Sequence, residues 1–168
     1  PRDLKASTYV FTEPLNTLEL ADRLTEGDYS NNLIRFTHIE GERAELVADR
    51  AAAALTDFDR EAFLEIARDY EGFLYPDTYY VPPSITEPEL LELLKTTYEA
   101  RTEELFSQAS STRDQYEVIT IASILEREGK SPESMRRIAG IFENRLAVGM
   151  RLQADATIEY VLEKPISE

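Results

Sequence analysis

The sequence contains no cysteine. A disulfide framework, a thiolate nucleophile and any zinc site built on cysteine sulfur are therefore excluded. Histidine is almost as scarce. His38 is the single one, so a Ser-His-Asp triad or a multi-histidine metal site would have to be built around it. Its setting, Leu33-Ile34-Arg35-Phe36-Thr37-His38-Ile39, reads as a strand with no nucleophile motif or second ligand beside it, and His38 is expected to be structural. Long apolar runs are missing as well: crossing a bilayer takes about eighteen consecutive apolar residues, and no segment reaches that length. No signal-peptide pattern is visible. The chain begins Pro1-Arg2-Asp3 and reads as a piece of a longer parent. Basic residues are in the minority, 18 against 33 acidic, for a net charge of −15. A field of that sign repels polyanions, so neither nucleic acid nor an anionic membrane surface is expected as a partner. Solubility is the simplest reading of the acidity.

What the chain does have is enough apolar character, 42% of 168 residues, for one ordinary packed domain or a domain with a small subdomain. Thr8-Tyr9-Val10-Phe11-Thr12 is β-branched and aromatic, as strands prefer. Asn16-Thr17-Leu18-Glu19 has the spacing of a capping box, and Leu18, Ala21 and Leu24 follow at helical intervals up to Gly27. With the strand at 33–39, this predicts β-α-β. Helices are expected over 42–55 and 57–69. Gly72, Pro76, Pro82 and Pro83 then forbid a continuous helix, and the segment carries Phe73, Tyr75, Tyr79 and Tyr80. Those rings read either as a loop stapled to the core or as a wall for pyranose rings. Thr86 to Glu89 opens a helix running to about Phe106. Further helices are predicted over 114–128, ended by Gly129, and over 132–147, entered through Ser131-Pro132 and ended by Gly149. Residues 150–160 read as a loop leading into another element.

The reactive inventory is mostly carboxylates, which suits glycosidic chemistry, where a carboxyl group protonates the leaving oxygen. An acid that holds its proton near neutrality needs partial desolvation by apolar neighbours. The helix at 114–128 offers an apolar stripe of Val118, Ile121, Ala122 and Leu125, flanked by Ile119 and Ile124. On a wheel of about 100° per residue, Glu126 falls over Ala122 and Ser123, and Glu128 over Ile121, Ile124 and Leu125. Periodicity nominates both carboxylates and does not choose between them. Both also fit ordinary boundary positions near a helix end.

Three segments carry a resemblance. They are Glu71-Gly72-Phe73-Leu74-Tyr75-Pro76-Asp77-Thr78-Tyr79, Ala122-Ser123-Ile124-Leu125-Glu126-Arg127-Glu128, and Ile138 to Leu146 followed by Gly149-Met150-Arg151-Leu152-Gln153-Ala154-Asp155-Ala156-Thr157. In content, order and spacing they resemble the YceG-like endolytic murein transglycosylases. The resemblance covers about residues 4–162 and is strongest after residue 70. It implies an α+β fold: a small LysM-like β-α-β subdomain over residues 1–55, then a mainly helical catalytic domain over 56–168, truncated at its C-terminal end. Asp155-Ala156-Thr157 departs from the family's Asp-Pro-Thr, and Ser7 stands where glycine is usual.

The resemblance also implies a chemistry. Glu126 would be the catalytic acid and then base, cleaving the bond between N-acetylmuramic acid and N-acetylglucosamine to leave a 1,6-anhydro end. Glu71, Tyr75, Tyr79, Ser123, Asn144, Arg145, Gln153, Asp155 and Thr157 would be substrate-binding residues, with Arg145 alternatively bracing Asp155 or Glu71. No metal and no cofactor is expected. Peptidoglycan glycan strands are the expected partner, with wall-synthesis proteins as further candidates. The parent would be held by an N-terminal helix on the extracytoplasmic face of the bacterial membrane. A water-using muramidase and a non-catalytic peptidoglycan-binding domain are the competing readings.

Overall fold

The computed structural model describes residues 14–26, 33–108 and 113–162. The expected strand around Thr8–Thr12 lies outside them. The chain divides into two compact units, residues 1–100 and 101–168.

In the first unit, Thr17–Glu26 forms helix α1. The capping box is realised: the Asn16 side-chain oxygen accepts from the amides of Leu18 and Glu19, each at 3.0 Å, and Glu19 accepts from the Asn16 amide at 3.0 Å. Strand β1 (Ile34–Thr37), helix α2 (Ala44–Ala54), helix α3 (Arg60–Ala67), strand β2 (Thr78–Val81) and the start of helix α4 (Glu87–Gln108), which runs on past residue 100, follow. Helix α3 begins later than expected because Asp57 takes a left-handed φ of 56°. Asp59 then caps the helix, accepting from the Ala62 amide at 3.0 Å.

Strand β2 lies inside the segment expected to be irregular. Its prolines flank it instead of interrupting it, which leaves Thr78-Tyr79-Tyr80-Val81 free to pair. The ladder with β1 is antiparallel, setting Ile34 opposite Val81, Phe36 opposite Tyr79 and Thr37 opposite Thr78. The pleat sends Phe36, Tyr79 and Val81 inward and leaves Tyr80 exposed. Helix α2 supplies the other wall. Ala44, Val47, Ala48 and Ala51 recur at i, i+3, i+4 and i+7, and none is more than 1% exposed. Phe63, Leu64 and Ala67 of α3 and Leu90, Leu91 and Leu94 of α4 complete this core. The core thus joins residues on both sides of position 55.

The second unit is helical in its described residues: α5 (Gln115–Glu128), α6 (Pro132–Ala147) and α7 (Asp155–Leu162). Asp114 caps α5 by accepting from the Glu117 amide at 2.8 Å. Ser131 and Ser134 form a reciprocal capping box at the start of α6, with Pro132 in the first turn. Gly149, at φ 69°, follows the end of α6 in the left-handed conformation that glycine adopts without a Cβ penalty. Ile124, Phe142, Ala154 and Ala156 are the buried centre, with Ile121, Leu125, Ile138 and Leu152 packed around them.

Candidate functional site

Helix α5 turns inward the Ile121 and Leu125 part of the stripe its sequence suggested, but centres it on the flanking Ile124. Ile124 is its buried residue and Ile121 and Leu125 pack beside it, whereas Ala122 is exposed. The partners decide this. Phe142 of α6 and Ala154 and Ala156 at the start of α7 meet α5 on the Ile121-Ile124-Leu125 side. Glu128 continues that i, i+3, i+4, i+7 row. Its Oε1 accepts from the Ala156 amide at 3.4 Å. Glu126 stands instead above Ala122 and Ser123 on the exposed side. Ser123 shares that face and donates to the Thr120 carbonyl at 2.9 Å. The two carboxylates that the wheel left equivalent are both exposed but differ in partner: Glu128 is tied to α7, and Glu126 stands on the Ala122-Ser123 face.

Gln153, Asp155 and Thr157 lie on the connection from α6 into α7. Arg145, near the end of α6, donates through its guanidinium to the Leu152 carbonyl. It braces the backbone of this loop. The Met150 amide returns to the Arg145 carbonyl at 2.8 Å. Thr157 donates its hydroxyl to the Ala154 carbonyl at 2.7 Å. Between these ties, Gln153 is exposed and holds a φ of 55°, a region that non-glycine residues seldom occupy. Nothing in the local sequence signals that conformation, since glycine or asparagine is the usual marker. Asn144 is exposed beside Glu143, which pairs with Arg113 at 2.7 Å.

The three remaining candidates belong to the first unit and all have partners within its fold, Glu71 and Tyr79 through their side chains and Tyr75 through its backbone. Glu71 accepts from the Ala44 amide at 2.9 Å, at the first turn of α2. Tyr79 is 8% exposed and donates its hydroxyl to the Tyr75 carbonyl at 2.7 Å. Its ring lies 6.4 Å from that of Phe36. Tyr75 is half-buried, and its amide donates to the Leu94 carbonyl at 3.3 Å. The same Tyr75 carbonyl lies 3.1 Å from Nδ1 of His38. His38 is 4% exposed, and its Nε2 is buried without a hydrogen-bond partner among the described residues. Burial holds its pKa below the ordinary imidazole value. Among the described residues no group of three or more His, Asp or Glu is placed to hold a metal ion.

A sequence model of the YceG-like family matches residues 1–168. The chain belongs to that family. Two curated relatives, the endolytic murein transglycosylases of Streptococcus pneumoniae strains D39 and R6, are each 27% identical over 199 residues. Those alignments take in 96% of this chain but 36% of each relative, so the chain spans about a third of their length. The endolytic murein transglycosylase of Bacillus subtilis is 28% identical over 101 residues, 59% of this chain and 28% of the relative. The crystal structure of a yceG-like protein from Listeria monocytogenes superposes with a TM-score of 0.63 at 24% identity, over 98% of this chain and 63% of that one. That likeness establishes a shared fold.

Proposed function

We propose that this chain is part of an endolytic lytic transglycosylase that cleaves peptidoglycan glycan strands, with Glu126 as its single acid and base. The observation that carries the proposal is the family match over the full chain, to relatives named endolytic murein transglycosylases. Both carboxylates are exposed; what supports Glu126 locally is that Glu128 is engaged with the Ala156 amide of α7, while Glu126 shares its face with Ser123.

In this reading protonated Glu126 donates to the oxygen joining N-acetylmuramic acid to the following N-acetylglucosamine, and that bond breaks. The resulting carboxylate takes the proton of the muramyl 6-hydroxyl as its oxygen closes on C1 of the same sugar. The leaving sugar keeps one proton and Glu126 regains the other, so the step needs no water. The attacking hydroxyl belongs to the substrate, which gives it the high effective concentration of an intramolecular nucleophile. Glu126 is exposed in the free protein, so the desolvation that suits a general acid would come from the bound strand excluding water. Gln153, Thr157, Asn144 and Ser123 would hydrogen-bond hydroxyl or acetamido groups, and Tyr75 would stack on a sugar. Asp155 would bind at the same loop. Arg145 would serve this loop through the backbone it holds, while Glu71 and Tyr79 would hold the backbone of the first unit.

The wider reading places the parent protein at the extracytoplasmic face of the bacterial membrane, anchored through a helix before residue 1 and working beside wall-synthesis proteins. The LysM-like subdomain proposed for residues 1–55 would share its core with the α3–β2–α4 segment of the 56–168 domain. The test is Glu126→Gln, assayed by mass spectrometry on isolated glycan strands. The variant is expected to fold and to lose 1,6-anhydro product. Release at the wild-type rate would remove Glu126 from the mechanism. Products heavier by one water would make the enzyme a muramidase, and strand binding without any product would make the domain a binding module.

A further inference from the structure

The geometry points to Glu128 as a positioning residue: it ties the first turn of α7, and through it the loop carrying Gln153, to the helix that carries Glu126. The inference rests on the activity proposed above and assigns Glu128 a part in it.

Two residues apart on a helix, Glu126 and Glu128 point about 200° apart on the wheel, so one helix presents two exposed carboxylates in different directions, and Glu128 is the one within reach of α7. The Ala156 amide lies in the opening turn of α7, where N–H groups have no acceptor within the helix. Ala156 is 7% exposed, so water has little access to that donor. The Glu128 carboxylate meets it at 3.4 Å and places negative charge at the positive end of the helix dipole. A second tie runs alongside, from Arg127 to Glu159 of α7 at 2.6 Å.

The loop before α7 is held at its other end by α6. Arg145 holds the Leu152 carbonyl, and the Met150 amide holds the Arg145 carbonyl at 2.8 Å. Gln153 sits between the α6 ties and the α5 ties. Its φ of 55° is a conformation that persists only where the surroundings impose it. Loss of the Glu128 tie therefore loosens the backbone of Gln153 and the first turn containing Thr157 relative to Glu126, with the Arg127–Glu159 pair left in place. The role fits a carboxylate that is itself exposed, since its loss changes alignment more than it disturbs the core.

The experiment compares Glu128→Ala, Glu128→Gln and Glu126→Gln with the wild-type protein, measuring anhydro-product release from glycan strands and amide hydrogen exchange at Ala156. Glu128→Ala is expected to lower kcat about ten- to a hundredfold, the cost of a displacement near 1 Å, to speed exchange at Ala156, and to leave the pH profile unmoved. Glu128→Gln keeps a carbonyl acceptor and is expected to retain kcat within about threefold, as a neutral hydrogen bond replaces a charge-assisted one. Wild-type kcat in Glu128→Ala, or unchanged exchange at Ala156, overturns the inference. So does a Glu128→Gln variant as inactive as Glu126→Gln, which would make Glu128 a catalytic residue. A wild-type protein that releases no anhydro product overturns the functional reading instead, and this inference with it.

Discussion

Glu71 provides the most direct measurement of how the first unit is held. Helix α2 starts without a cap of its own: Arg43, at its N-cap, makes no side-chain bond to the helix. The cap comes from 27 positions downstream, where the Glu71 carboxylate accepts from the Ala44 amide at 2.9 Å. Ala44 is 1% exposed, so without Glu71 its N–H would be left buried and unpaired. A hydrogen bond to a charged group contributes roughly 1.5–3 kcal/mol, and the favourable charge at a helix N-terminus about 0.3–1 kcal/mol more. The two overlap and Glu71 is partly exposed, so Glu71→Ala should cost about 2 kcal/mol. For a chain of this size that corresponds to a fall in Tm of roughly 4–8 °C. Glu71→Gln retains an acceptor without the charge and should cost about half as much. Urea unfolding followed by far-UV circular dichroism measures both, with the m-value showing whether the unfolded states are comparable. A Glu71→Ala midpoint equal to wild type refutes the capping argument. If that variant also lost glycan binding, Glu71 would be a substrate contact first.

Two further perturbations report on each unit separately. His38 is the single histidine, and burial disfavours its charged form, with Arg50 adding to this and Glu42 and the bond to Tyr75 opposing it. The unfolded imidazole protonates near about pH 6.5 and the folded one lower, so stability is complete above that pH and falls as the pH drops toward the folded pKa. His38→Gln should flatten the slope of unfolding free energy between about pH 5.5 and 7, and an unchanged slope would exonerate His38. In the second unit, a Cβ on Gly129 would meet Met135 Cγ at 2.4 Å, the Leu125 carbonyl at 3.0 Å and Met135 Cα at 3.2 Å. Gly129→Ala should therefore force α5 and α6 apart and cost about 1–3 kcal/mol. Adding Met135→Ala removes the side-chain clash and leaves both backbone contacts, so it should recover part of that loss. Full recovery would mean that the backbone contacts do not matter.

The helices were legible because their ends are written locally. Asn16-Glu19, Thr86-Glu89 and Ser131-Ser134 each satisfy donors at a helix start within one turn, so a short window contains the whole argument. Strand β2 was not legible for the opposite reason. Its partner, β1, lies about forty residues earlier, and its flanking prolines suppress the local strand signal. Helix α2 shows a middle case. The helix itself was expected over 42–55 and forms over Ala44–Ala54, but its cap, Glu71, sits on the far side of α3. The core that joins α2 to α3, β2 and α4 likewise depends on contacts that no window around residue 55 contains.

The same limit explains the two carboxylates of α5. A helical wheel knows the angle between Glu126 and Glu128 but not what stands at each angle. That information belongs to Phe142, Ala154 and Ala156, residues up to thirty positions away, which draw Ile124 inward and leave Ala122 outside. Once they are placed, the pair separates: Glu128 meets a buried amide, and Glu126 keeps an open face. The strained backbone at Gln153 follows from the same packing, because Ala154 and Ala156 must both enter the core while Arg145 holds Leu152 behind them. A loop anchored on both sides of one residue leaves that residue's backbone little choice. The sequence motif around 149–157 is then best read as a packing instruction that aims Gln153, with Glu126 on the adjoining helix as the group it would serve.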